Sequence, residues 1–295
     1  MSPMPGSDPH DSLRAAVSGF LEDGGSEGRL DDLPRRWERF DDVALLPSTA
    51  FAHERWDGVR SEGLWRVVAG GLGVARLGRT GEVSGELRQS GVEMLLGEDD
   101  WAVRRESGVD YGYRITKCMF SAGNVNERRR MGQEARAGEV VVDLYAGIGY
   151  YALPVLVHSD AAHVHACEWN PEAVLALDHN LEANGVTERC TMHVGDNQVT
   201  SKGLAGVADR VLLGLLPSAE EGYAPALRVL GPEGGTLHVH GLGPAEDHGA
   251  WAEQVESALG AMEPGSSLER LALTRVKSHA PHWDHLVLDV SVSRP

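Results

Sequence analysis

The sequence predicts an α/β chain: a doubly wound domain with an open, mostly parallel sheet, preceded by a smaller α+β domain. Three observations lead there. From Gly138 onward, short apolar runs suited to buried parallel strands alternate with stretches of helical periodicity. A glycine loop, Gly147-Ile-Gly149, follows the first of these runs and opens a helical stretch. The 295 residues also exceed the ~100–200 of an ordinary domain, and the pattern before Gly138 is mixed.

Residues 1–33 are rich in Gly, Ser, Asp and Pro and read as a flexible leader with one short helix over Leu13–Phe20. Residues 34–137 read as the small α+β domain. There RRWERFDDVALLP ends in a short strand, and EGLWRVVAGGLG makes an amphipathic helix. Trp101–Ser107 and Val109–Thr116 alternate in polarity across Gly108, as a hairpin does. In residues 138–295 the strands are EVVVDLY, AHVHACE, CTMHVGD, ADRVLLG and GTLHVHG, with helices GYYALPVLVHS, PEAVLALDHNLEANG and AEEGYAPALRVLG among them. Pro171 suits the first helical position, where an N–H has no partner anyway, and Gly185 suits the left-handed residue beyond the last turn. A helix over Trp251–Met262 and two strands, LERLALTRVKS and WDHLVLDVSVS, complete the domain.

Hydrophobic residues make up 42% and charged residues 24%, which excludes a wholly disordered chain. No run approaches the ~18 apolar residues of a membrane span, and the first residues lack the basic-then-apolar order of a secretory signal. Cys118, Cys167 and Cys190 are widely spaced and form no CxxC, so reduced thiols and a cytoplasmic location are expected. His238 and His240 alternate on one strand without a third ligand, so no metal site is expected. The net charge of −17 speaks against a polyanionic partner, yet 17 of the 27 Lys and Arg residues fall between positions 35 and 137. They include Arg104-Arg105 and the run Arg128-Arg129-Arg130. Screening limits each charge to a reach of ~8 Å, so a local basic face can hold a polyanion on an acidic protein. A nucleic-acid face and a merely solvated arginine surface both remain open from composition.

The loop Asp143-Leu-Tyr-Ala-Gly147-Ile-Gly149-Tyr stands where open α/β sheets bind small molecules. Gly147 and Gly149 let the backbone turn sharply and approach a ligand. The third glycine of a dinucleotide fingerprint is absent, since Tyr150-Tyr151-Ala152 follows, so a nucleoside without a pyrophosphate is favoured. The second strand ends in Glu168, a carboxylate able to accept from both ribose hydroxyls. The third ends in Gly195-Asp196-Asn197, an acceptor and an amide able to read an adenine edge. Each alone is also a common cap or turn. In this order on three successive strand ends they point to an S-adenosylmethionine site, with Asp143, Gly147, Gly149, Glu168, Asp196 and Asn197 as cofactor-binding candidates.

Five segments in order, CMFSAGNVNERRR, VVDLYAGIGYYALP, HACEWNPEAVLAL, GDN and ADRVLLGLLPS, resemble the tRNA wybutosine-synthesizing protein 2 family. These are tRNA(Phe) aminocarboxypropyltransferases, close relatives of the tRNA guanine-N1 methyltransferases. The resemblance runs from about Leu33 to the C-terminus. It implies a class I methyltransferase-like domain behind a smaller one. It also implies that Ser121 and Arg128 lie against the cofactor, Glu168 at the ribose, and Asp196 with Asn197 at the adenine. A lysine is common at the Arg128 position, and arginine keeps the cation while changing its shape. The methyltransferase relatives carry Asn-Pro-Pro after the fourth strand. Here that strand ends Leu213-Gly214-Leu215-Leu216-Pro217-Ser218, without Asn, as in the aminocarboxypropyl-transferring branch.

The resemblance therefore implies transfer of the 3-amino-3-carboxypropyl group to C7 of 4-demethylwyosine at position 37 of tRNA(Phe), by a monomer. Pro217 is expected at the target base, and Arg129 with Arg130 on the tRNA face. The alternatives are a tRNA guanine-N1 methyltransferase and a catalytically silent tRNA- or cofactor-binding protein. His279, His282, Asp284, His285 and Tyr145 are the candidates for a general base, but each reads better as a surface or hairpin residue, and no catalytic residue is assigned.

Overall fold

A computed structural model describes residues 8–21, 28–85 and 89–295. The chain forms two compact units, Met1–Arg105 with Gly112–Met119, and Glu106–Tyr111 with Phe120–Pro295.

The first unit begins with helix α1 (Pro9–Leu21), followed by β1 (Glu38–Phe40), β2 (Val43–Leu46), α2 (Glu62–Leu72), β3 (Arg76–Arg79) and β4 (Glu93–Leu96). The strands lie in the order β1-β2-β3-β4, the central pair parallel and the outer pairs antiparallel. Ser61 caps α2 by accepting from the Leu64 N–H, and Gly73 ends it in the left-handed conformation. The buried stripe of α2 (Leu64, Trp65, Val68, Ala69 and Leu72) follows helical spacing. Leu13 and Val17 of α1, one turn apart, are fully buried in the same cluster with Leu46, Phe51 and Trp56.

The short helix expected over Leu13–Phe20 spans Pro9–Leu21, and it is seated in a core where a loosely held leader was expected. The polar composition of the segment hid an apolar pair that gains meaning only beside a partner helix. Residues 1–7 and 22–27 of that stretch lie outside the described residues.

The hairpin strands β5 (Trp101–Glu106) and β6 (Val109–Arg114) turn through Ser107 and Gly108, both at positive φ. The second unit then runs α3 (Val125–Glu134), β7 (Val140–Asp143), α4 (Ala152–His158), β8 (His163–Glu168), α5 (Pro171–Ala183), β9 (Cys190–Val194) and α6 (Asn197–Thr200). It continues with β10 (Arg210–Leu213), α7 (Tyr223–Val229), β11 (Gly234–Pro244), α8 (His248–Met262), β12 (Ser267–Ala280) and β13 (Trp283–Ser293). Its seven strands lie in the order β12-β13-β11-β10-β7-β8-β9, with β13 alone reversed. Pro171 stands at the start of α5 behind the cap Asn170, and Gly185 follows its end at φ +67°.

The expected boundary at 137/138 moves to 119/120, because α3 belongs to the second unit. The surface sequence NERRR reads as solvated, yet Glu127, Arg128, Met131 and Gly132 are buried. β8 lies on one side of β7 and β10 on the other, so the order of the sheet reverses there. In open α/β sheets such a reversal leaves a crevice at the carboxyl ends of the strands. Among the described residues no helix is long and apolar enough to cross a membrane.

Candidate functional site

The carboxyl end of β7 is held by its neighbours before any ligand is considered. Asp143 is wholly buried, and its carboxylate accepts from the Tyr145 N–H at 3.1 Å. The loop that follows is pinned by the Asn180 amide on the Ile148 carbonyl (3.0 Å) and the Asn197 amide on the Leu144 carbonyl (2.9 Å). Gly147 and Gly149 have φ of +57° and +97°. A Cβ on Gly147 would lie 2.4 Å from the Tyr150 ring, and one on Gly149 would lie 2.6 Å from Leu153. Both positions therefore demand glycine for their conformation and for their room.

Glu168, at the end of β8, accepts from the Gly147 N–H at 2.7 Å, and from the Trp169 and Asn170 N–H groups at 2.9 and 2.8 Å. One carboxylate thus ties the glycine loop to the β8 strand end while keeping acceptor capacity for a ligand. Burial raises the pKa of Glu168 from its ordinary value, and the three amide donors oppose that rise. Asp143 is pushed up to about 7, first by burial and then by the Glu168 charge. Asp196 is exposed and caps α6 by accepting from the Gln198 N–H at 2.8 Å, and Asn197 follows it, half-buried.

Gly loop, Glu168 and Asp196-Asn197 thus share one edge of the sheet. Asp143 lies wholly buried at the same edge and holds the loop through the Tyr145 N–H. Trp169, 48% exposed beside the acid, presents a large apolar ring at the same strand end. Its only sequence signal was its place after Glu168. Pro217 is exposed beyond β10, and its carbonyl accepts from the Leu242 N–H at 2.9 Å.

The arginine run divides three ways. Arg128 is buried, and its guanidinium meets Glu106 in a two-pronged ion pair (Nη2 to Oε2 2.7 Å). It also donates to the Ser121 carbonyl at 3.0 Å and lies 4.4 Å over the Phe120 ring. It shapes the segment carrying Ser121, and its charge is matched by Glu106, where an open cation was expected beside a cofactor. Phe120 in turn lies 5.9 Å from the ring of Tyr150, the side chain that covers Gly147. Only Arg129 is exposed.

Arg130 is no surface arginine. It pairs with Glu127 (2.7 Å) and Asp289, and Asp289 lies 2.7 Å from Nδ1 of buried His238. Arg210 also bonds His238, at Nε2, and can only donate, so the His238 proton sits on Nδ1 and faces Asp289. Arg210 is itself paired with Glu139 at 2.7 Å. Burial opposes ionisation of Asp289, but His238 and Arg130 outweigh it and hold its carboxyl down at about 2. This internal network already matches the Arg130 charge, leaving Arg129 as the more open of the two arginines expected on the tRNA face.

The general-base candidates scatter. His279 and His282 are exposed around the β12–β13 turn, and Asp284 pairs with Arg275 and His248. His285 is buried, 3.0 Å from His240, and burial holds its pKa down at about 4. Tyr145 is half-buried at the loop, its phenol raised by burial and opposed by a hydrogen bond to Asn197. Sequence reading missed Lys277 of β12, whose ammonium donates to the Ser121 hydroxyl across 156 residues of chain.

A family model described as the TRM5/TYW2 methyltransferase domain matches residues 102–257, and one described as the TYW2 N-terminal domain matches residues 17–100. The chain is 44% identical over 288 residues to the tRNA wybutosine-synthesizing protein 2/3/4 of Arabidopsis thaliana, covering 96% of itself and 29% of that protein. It is 43% identical over 283 residues to the human tRNA wybutosine-synthesizing protein 2 homolog, covering 94% and 58% respectively. The crystal structure of P. horikoshii TYW2 in complex with MeSAdo superposes with a TM-score of 0.82 at 30% identity, over 96% of this chain and all of that one. With both domain matches in order along a sheet of this topology, the chain belongs to the tRNA wybutosine-synthesizing protein 2 (TYW2) family.

Proposed function

We propose that the protein is an S-adenosylmethionine-dependent transferase that moves the 3-amino-3-carboxypropyl group to C7 of 4-demethylwyosine at position 37 of tRNA(Phe). The observation that carries this reading is the glycine loop, Glu168 and Asp196-Asn197 on one sheet edge beside a β10 end, Gly214-Leu215-Leu216-Pro217-Ser218, that offers no side-chain amide to hold a guanine for N1-methylation. The names of the curated relatives support it, as does the MeSAdo complex of the P. horikoshii relative. The cofactor, when bound, supplies an electrophilic γ-carbon whose transfer leaves 5′-methylthioadenosine.

The protein's part in that reaction is placement. Glu168 accepts from the ribose hydroxyls, Asp196 and Asn197 read the adenine, and Trp169 offers its ring as an apolar wall. The fit rests on the glycine loop, whose two positive-φ glycines have no room for a side chain and so hold this turn at the strand end. Ser121 reaches the amino-acid tail, and Pro217 lines the side where the target base arrives. Which carbon reacts then depends on which one is held in line at ~3–3.5 Å from the nucleophile. On this reading Arg129 meets the tRNA backbone, and the enzyme works as a cytoplasmic monomer in which Cys118, Cys167 and Cys190 stay reduced; all three are free thiols.

The deciding experiment incubates the protein with S-adenosylmethionine labelled in its methionine carbons and tRNA(Phe) bearing the tricyclic precursor. Methylthioadenosine and a nucleoside heavier by the aminocarboxypropyl group are expected. Adenosylhomocysteine with a methylated nucleoside would assign the chain to the methyltransferase branch, and no product would leave a silent binding protein.

A further inference from the structure

Lys277 is the unusual cation of the second unit. Its ammonium is half-buried and donates to the Ser121 hydroxyl, and among the described residues no carboxylate pairs with it. Arg128, whose charge acts on it, is matched by Glu106, and Arg275, two residues away on β12, by Asp284. Burial, and then the Arg128 charge, push the lysine below its ordinary pKa, as expected for a cation short of an anion. Its stem is held in place, since a Cβ at Gly123 would lie 3.0 Å from Lys277 Cδ.

The surroundings narrow the class of anion. The Ser121 hydroxyl that receives the lysine donates onward to the Asn124 side-chain oxygen at 3.3 Å. A cation and a neutral acceptor bridged by one hydroxyl suit a group carrying both a carboxylate and an ammonium. A phosphate would find one donor and an acceptor facing it. Ser121 adjoins Phe120, whose ring lies beside Tyr150 over the glycine loop, so such a zwitterion would be attached to a ligand seated on that loop.

We propose that Lys277, with Ser121, receives the carboxylate of the amino-acid tail of the nucleoside ligand. The inference rests on the proposed S-adenosylmethionine site. Lys277 is a binding and positioning residue here: it would set the direction of the tail and so which carbon faces the acceptor base.

Calorimetric titrations of wild type, Lys277→Gln and Lys277→Arg with S-adenosylmethionine and with 5′-methylthioadenosine, which lacks the tail, test it. Lys277→Gln should weaken S-adenosylmethionine about tenfold or more, as for loss of a charge-assisted contact, and leave methylthioadenosine within about twofold. Lys277→Arg should recover much of the loss. Equal weakening of both ligands would mean a merely structural lysine, and unchanged affinity for both would place the tail elsewhere; either result overturns the inference. Wild-type protein that binds neither ligand would overturn the nucleoside site itself, and this inference with it.

Discussion

Asp143 and Glu168 show how much chemistry one strand end concentrates. An acid whose pKa rises on folding keeps its proton in the native state where the unfolded chain has lost it. For Asp143, moved from 3.8 to about 7, stability is therefore fully present below about pH 4 and is lost as pH climbs toward 7. Asp143→Asn removes that titration and should gain about 2–4 kcal/mol on wild type across this window. Denaturant unfolding at several pH values checks it, and a difference that stays constant with pH would show that Asp143 does not titrate there. Glu168→Ala should weaken S-adenosylmethionine by about 1.5–3 kcal/mol, since it removes a charged acceptor and frees the Gly147 amide. Unaltered affinity in calorimetry would remove Glu168 from the site.

Elements carry the two largest departures from expectation, and both are helices whose polar sequence conceals a buried stripe. In α1, Leu13→Ala removes a side chain with no solvent exposure and should cost about 2–5 kcal/mol. A change under about 0.5 kcal/mol, the range of surface substitutions, would return α1 to a loosely held leader. In α3, Arg130 is one link of a chain running Glu127–Arg130–Asp289–His238–Arg210–Glu139 and tying the helix to β13, β11 and β10. Removing one partner strands a buried charge, so Asp289→Asn and Arg130→Met should each destabilise by about 3–5 kcal/mol. The double variant should cost less than their sum. Strict additivity would show that the two groups do not interact.

The whole molecule carries −17, so the proposed tRNA binding requires local fields acting against the net charge. Of the arginine run, Arg129 is the exposed member. Arg129→Glu should weaken tRNA binding and flatten its log–log salt dependence by about 0.7–0.9 for each lost contact, with cofactor affinity unchanged. Titrations at two salt concentrations decide. An unmoved slope would send the tRNA face elsewhere and leave Arg129 as a solvated side chain.

What the sequence determined by itself is whatever depends on short-range order. The alternation after Gly138, the caps around α5, the positive-φ glycines at 147 and 149 and the strand-end order Glu168, Asp196, Asn197 are all written within a few residues of one another. They were legible as fold and as candidate site for that reason. Tertiary structure alone decided the rest. Whether an arginine meets solvent or a carboxylate depends on partners 22 and 159 residues away, as at Arg128 with Glu106 and Arg130 with Asp289. The same holds for Lys277, which no local pattern marks and which meets Ser121 across 156 residues. Periodicity reports which face of an element is apolar. It does not report which charges share a low-dielectric interior, where a missing or added partner sets a side chain's role.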